Sequence, residues 1–189
     1  MKQQIEDHLR VISALRDEVP LLESIADTIT ECFRGGGRLY ILGNGGSAAD
    51  AQHIAAELMG RFKCDRRPLP AVALTTDTST LTAVANDLGA DVIFARQVEG
   101  LATQRDIVWA LSVSGRSPNV IAAVDAARRC GARVIGFTGR KGQPLAERSV
   151  LCLIADHEDS GRVQETHQLA YHLICERIEK ALVAADTEK

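Results

Sequence analysis

Arg38-Leu39-Tyr40-Ile41-Leu42, followed at once by Gly43-Asn44-Gly45-Gly46-Ser47, is the stretch that decides the fold. The first five residues form an apolar run of strand length, and the glycine-rich five break it and open a helix that the pattern carries to about residue 62. The same unit recurs downstream. Residues 106–111 read as a strand, Ser112-Val113-Ser114-Gly115-Arg116-Ser117 as its loop, and residues 118–129 as its helix. Working outward, strands are expected at 71–74, 132–137 and 150–154, and helices near 79–86 and 92–101. A long helix over 162–183 closes the chain. Strands alternating with helices predict right-handed crossovers and a five-stranded parallel sheet covered on both faces, an α/β three-layer sandwich.

Ahead of the first strand, residues 3–33 read as helix, with Ile5, Leu9, Ile12 and Leu15 on one stripe. Pro20 starts a second helix carrying Leu21, Leu22, Ile25, Ile29 and Phe33, which Gly35-Gly36-Gly37 stops. These helices have no strand partner. Residues 1–34 are therefore expected to form a helical arm for packing or subunit association, and residues 35–189 the functional domain.

Of 189 residues, 46% are apolar, 25% charged and 4% aromatic, which excludes a disordered chain. A net charge of -3 argues against a nucleic-acid binder that relies on bulk positive charge. No apolar run approaches the roughly 18 residues of a membrane span, and the polar start Met1-Lys2-Gln3-Gln4 is unlike a signal peptide. A cytoplasmic protein with neither nucleic-acid nor membrane partners is expected. Cys32, Cys64, Cys130, Cys152 and Cys175 are odd in number and widely spaced, which predicts free thiols, Cys64 the most exposed.

In parallel sheets ligands bind beyond the carboxyl ends of the strands. Both loops quoted above lie there, and each offers backbone N–H groups at a helix N-terminus, where the macrodipole favours an anion. Ser112, Ser114 and Ser117 add hydroxyl donors. The pair matches neither a Walker loop nor a dinucleotide fingerprint and points to a phosphate ester.

His53 and Glu57 stand four residues apart on one face of the first helix, and Gln164, Gln168 and His172 share a stripe of the last. A His, Glu, Gln, His set could hold a divalent metal with a position open for substrate. Alternatively, Glu57 and His172 could serve as base and acid without metal. Asn86-Asp87 is a third polar site, or a helix C-cap. Arg61, Lys63, Arg66 and Arg67 read as a solvated loop able to attract an anion. His8, His157 and His167 read as structural.

Several of these motifs, taken in order, resemble the phosphoheptose isomerases of the SIS (sugar isomerase) domain. They are Gly43-Asn44-Gly45-Gly46-Ser47, Asp50-Ala51-Gln52-His53-x-x-x-Glu57-Leu58-x-Gly60-Arg61-Phe62, Ala85-Asn86-Asp87, Ser112-x-Ser114-Gly115-x-Ser117-x-Asn119-Val120, Thr138-Gly139 and Arg162-Val163-Gln164-Glu165-x-His167. The resemblance implies a flavodoxin-like fold and conversion of D-sedoheptulose 7-phosphate to D-glycero-D-manno-heptose 7-phosphate, the first step of nucleotide-activated heptose biosynthesis. It implies homotetramers with active sites between subunits and one zinc ion per subunit. By position, the metal ligands would be His53, Glu57, Gln164 and His172, and the acid/base pair Glu57 and His172. Substrate contacts would come from Asn44, Gly45, Gly46, Glu57, Asn86, Asp87, Ser112, Ser114, Ser117 and Gln164. Val113 and Arg116 depart from the family's Ser-Thr-Ser-Gly-Asn-Ser loop. The alternative is a non-catalytic scaffold resembling DiaA, which binds the DnaA replication initiator, but that protein departs from the isomerases at the positions matching Glu57 and His172.

Overall fold

The fold was read from a computed structural model that describes residues 1–187, with side chains described to residue 183. Two helices open the chain, α1 (Lys2–Ala14) and α2 (Val19–Arg34), the second with Pro20 in its first turn. Then follow β1 (Leu39–Gly43), α3 (Gly46–Met59), β2 (Ala71–Ala73), α4 (Thr78–Asp87) and α5 (Ile93–Leu101). The remainder is β3 (Ile107–Ser112), α6 (Pro118–Arg129), β4 (Arg133–Gly139), α7 (Gln143–Ala146), β5 (Leu151–Ala155) and α8 (Ser160–Thr187). The expected helix to residue 62 stops at Met59, where Gly60 ends the hydrogen-bonded turns. The single turn of α7 was not expected, because four residues around Pro144 are too few to show a period.

The sheet is wholly parallel, in the order β2-β1-β3-β4-β5. This is the flavodoxin-like order, and its direction of winding reverses between β1 and β3. The strands read as continuous apolar runs because both faces are covered. On β3, Ile107, Trp109 and Leu111 face one layer while Val108 and Ala110 face the other. The first layer is built by α2, α3 and α8, which bring Leu22, Ile25, Ile29, Ile54, Leu58, Ile174 and Ile178 to the sheet. The second is built by α5 and α6 through Phe94, Val98, Val120, Val124 and Ala127. Its many alanines let these helices pack close, so the small aromatic content costs the fold little. Trp109 and Phe137 meet edge-to-face at 4.9 Å in the centre of the first layer.

The described cysteines are all free. Cys64, like Cys130 and Cys152, is half-buried, while Cys32 and Cys175 are buried. Among the described residues no helix is long and apolar enough to cross a membrane.

Candidate active site

The loops after β1 and β3 meet at the reversal point of the sheet. Gly45 takes φ +55°, which lets the chain turn sharply before α3, and Gly115 takes φ +60° before α6. A Cβ on Gly115 would stand 2.4 Å from Cα of Gly142, so this loop tolerates no larger residue. The loops are tied by reciprocal amide bonds: Asn44 Nδ2 donates to Asn119 Oδ1 at 2.8 Å, and Asn119 Nδ2 to Asn44 Oδ1 at 2.9 Å. Between them lies a cleft of about 320 Å³ lined by Asn44, Gly45, Gly46, Ser47, Ser112, Val113, Ser114, Ser117, Ser160 and Gln164. Ser112 Oγ accepts from the Gly115 N–H, and Ser114 Oγ from the Arg116 N–H. Two helix N-termini and three loop hydroxyls converge here, an arrangement suited to a phosphate group. Arg116 points outward and donates to the Lys141 carbonyl.

Further along α3 and α8 stands the second constellation. Ligand atoms of His53, Glu57 and His172 all lie within 4.8 Å of one another. His53 Nε2 is 3.0 Å from Glu57 Oε1, and the His53 and His172 rings meet edge-on at 5.0 Å. Phe62 lies flat on His172, with centroids 5.5 Å apart and planes 5° from parallel. Burial, then the nearby His53, lowers the His172 pKa against the opposing pull of Glu57. A neutral imidazole at neutral pH is the form that binds a metal or accepts a proton. Two imidazoles and one carboxylate converging with a side open fit zinc in its catalytic three-ligand form.

Of the four expected ligands, the structure brings His53, Glu57 and His172 together. Gln164 and His172 are eight residues apart on one continuous helix, about 12 Å along its axis. The Gln164 amide packs against Gly46, where a Cβ would stand 2.6 Å from its Nε2, and it lines the cleft between the two loops. Asn86 and Asp87 sit exposed at the end of α4, bonded to each other and outside both constellations of this chain. Within one chain, then, the structure gathers Asn44, Gly45, Gly46, Ser112, Ser114, Ser117 and Gln164 in one place and His53, Glu57 and His172 in another.

The basic loop needs correcting at one position. Arg66 is not solvated: 2% of its side chain is exposed, and it pairs with Glu179, which is 1% exposed. Its guanidinium donates to the carbonyls of Glu57, Leu58 and Gly60, the orphan acceptors at the end of α3. Glu179 accepts N–H bonds from Phe62, Lys63 and Cys64. Burial pushes the Glu179 carboxyl up, but these bonds and Arg66 outweigh it and hold its pKa below the usual range.

Other groups that sequence reading passed over also converge here. The Tyr171 hydroxyl lies 2.9 Å from His53 Nδ1 and makes a long bond of 3.4 Å to Asp50 Oδ1. Spacing alone held a signal for Asp50, one turn before His53 on the same helix. None existed for Tyr171 beyond its adjacency to His172. Burial pushes the Cys152 and Cys175 thiols up to about 12, which disqualifies them as nucleophiles.

The family model of the SIS domain matches residues 3–139 of the chain. A phosphoheptose isomerase of Geobacter sp. (strain M21) is 46% identical over 183 residues, covering 96% of this chain and 95% of the relative. One from Roseiflexus sp. (strain RS-1) is 49% identical over 168 residues, 89% of this chain and 85% of the relative. Among solved structures, phosphoheptose isomerase GmhA from Neisseria gonorrhoeae superposes with a TM-score of 0.88 at 38% identity, covering 95% of this chain and 96% of that one.

Proposed function

The chain belongs to the SIS-domain phosphoheptose isomerases, and from that premise we propose that it interconverts D-sedoheptulose 7-phosphate and D-glycero-D-manno-heptose 7-phosphate. It is an isomerase. The observation that carries the reading is that one pair of helices, α3 and α8, bears both constellations. Gly46 meets Gln164 at the cleft, and His53 and Glu57 meet His172 about 12 Å further along. That separation is on the scale of an extended seven-carbon sugar phosphate. A phosphate held by the serine loop would fix the far end of the substrate and present its carbonyl end to the triad.

Aldose–ketose interconversion moves a proton between adjacent carbons. In this proposal the Glu57 carboxylate removes the carbon-bound proton and returns it to the neighbouring carbon. His172, neutral and backed by Phe62, passes the oxygen-bound proton. His53, Glu57 and His172 would hold a zinc ion. When bound, the ion supplies Lewis-acid polarisation of the hydroxy-carbonyl oxygens. Gln164 acts as a substrate contact at the cleft.

Assembly as a homotetramer with active sites between subunits is part of the same proposal. Its support is the exposed apolar surface of Ile5 and Leu9 on α1, Val19 on α2, and Leu169 and Leu173 on α8. In such an assembly the exposed Asn86 and Asp87 would reach a neighbouring site. Action in the cytoplasm, at the first step of nucleotide-activated heptose biosynthesis, accords with the free thiols.

The deciding experiment incubates purified protein with sedoheptulose 7-phosphate, with and without a chelator. Aldose product is expected, diminished by chelation, and Glu57→Gln should lower turnover by about 10²–10⁴-fold. Near-normal turnover of Glu57→Gln would overturn the role of Glu57. No product under either condition would favour the scaffold reading.

A further inference from the structure

We propose that Tyr171 and Asp50 form a positioning relay that sets the tautomer of His53 so that its Nε2 lone pair is presented to a cation between Glu57 and His172. The inference rests on the reading of those three residues as a metal site. None of the sequence motifs singled out Tyr171, whose side chain is wholly buried between α8 and α3. Its hydroxyl touches His53 Nδ1 at 2.9 Å and Asp50 Oδ1 at 3.4 Å, while Asp50 Oδ2 is buried without any hydrogen-bond partner.

A phenol has one proton to give, and two arrangements compete for it. In the first, His53 Nε2–H donates to Glu57 and the Tyr171 hydroxyl donates to Nδ1. Asp50 then faces a phenol oxygen with no hydrogen, and neither of its oxygens, the buried Oδ2 included, has a donor. In the second, Nδ1–H donates to the Tyr171 oxygen and the hydroxyl donates to Asp50. Nε2 is then left as a bare lone pair 3.0 Å from the Glu57 carboxylate. Two acceptors that close repel unless a cation lies between them. The carboxylate at Asp50 thus disfavours the first arrangement, and a metal ion removes the repulsion in the second, where only Asp50 Oδ2 still lacks a donor. Outer partners that orient a ligating imidazole in this way commonly alter metal affinity 10- to 100-fold.

The test compares wild type with Tyr171→Phe and Asp50→Asn. Apparent zinc affinity is measured by competition with a chelating dye, and folding by circular dichroism. Both variants should fold and bind zinc about 10- to 100-fold more weakly than wild type. Affinities within threefold of wild type would overturn the relay. Should Tyr171→Phe fail to fold, Asp50→Asn carries the test, because it preserves size while its amide can donate to the Tyr171 oxygen, so the side chain no longer has to accept the phenol proton. A second readout is independent of zinc: nitrogen NMR of the metal-free protein, labelled at its five histidines. The Nδ1–H fraction of His53 should be larger in wild type than in Asp50→Asn, and equal fractions would overturn the relay. A wild type that binds no zinc sinks the metal reading, and the tautomer comparison then still decides the relay.

Discussion

Arg66 Nε lies 3.1 Å from Glu179 Oε1, in an ion pair from which solvent is almost wholly excluded. Each partner faces two ways. Arg66 caps the carbonyl end of the helix that bears Glu57, and Glu179 gathers the N–H groups of the loop that lays Phe62 on His172. Removing one charge from a buried pair strands the other, typically at a cost of about 3–5 kcal/mol. Glu179→Gln should therefore lower the denaturant midpoint by a corresponding amount with an unchanged slope. Arg66→Lys should also destabilise, since an ammonium cannot fork across several carbonyls at once. A Glu179→Gln protein as stable as wild type would show that the loop is held by other contacts.

That pair also marks the boundary of what the sequence disclosed. Strand and loop positions were legible because both faces of the sheet are covered, so apolar runs such as 39–42 and 107–111 stand out against glycine and serine. The cleft between the loops was legible for the same reason, since it is made of those loops. Arg66 was read as solvated because it lies among Arg61, Lys63 and Arg67, and no local signal distinguishes it. Its burial is decided by Glu179, more than a hundred residues on. Tyr171 and His53, 118 residues apart, meet for the same kind of reason. The placement of Gln164 is the converse case. Its spacing from His172 was visible in the sequence, yet only the contact with Gly46 shows which constellation it joins.

Gly46→Ala tests that placement. Backbone strain is not at issue, because Gly46 lacks a positive φ; the nearest atoms the new methyl would meet are those of the Gln164 amide, at 2.6–2.8 Å. A flexible side-chain end can move aside, so stability should change by less than about 1 kcal/mol, within the usual range for a conservative change. Displacing a positioned substrate contact should lower kcat/KM by roughly tenfold or more. Steady-state kinetics alongside a thermal melt would separate the two effects. Unchanged kinetics would show that Gln164 does not touch substrate from this position.

His167 supplies a pH dependence. It is fully buried, its Nε2–H donates to the Thr138 carbonyl at 3.2 Å, and Nδ1 has no partner. Burial pushes its pKa down to about 4. Because the folded value is depressed, the unfolded chain takes up the proton first as pH falls. Stability is undiminished above the unfolded value near 6.5 and is lost progressively between there and about 4, by about 3 kcal/mol in all. Gln at 167 can keep the bond to Thr138 but cannot titrate. Urea unfolding at several pH values should show this slope in wild type and its loss in His167→Gln. Parallel curves for the two proteins would assign the acid sensitivity to other groups.

The Asn44–Asn119 exchange makes a prediction about anion binding. These two amides tie the two loops to each other across the cleft at the reversal point. Asn119→Ala removes both bonds and should raise KM for the sugar phosphate several-fold while changing kcat less, the signature of lost ground-state positioning. Asn119→Asp cannot donate to Asn44 and adds a negative charge beside two helix N-termini. It should raise KM further than alanine does, and the excess should shrink as salt screens the repulsion. Inhibition by inorganic phosphate should weaken in the same order. If aspartate and alanine proved equivalent at low salt, the anion would lie too far from Asn119 to feel its charge, and the phosphate would have to sit deeper toward Ser160.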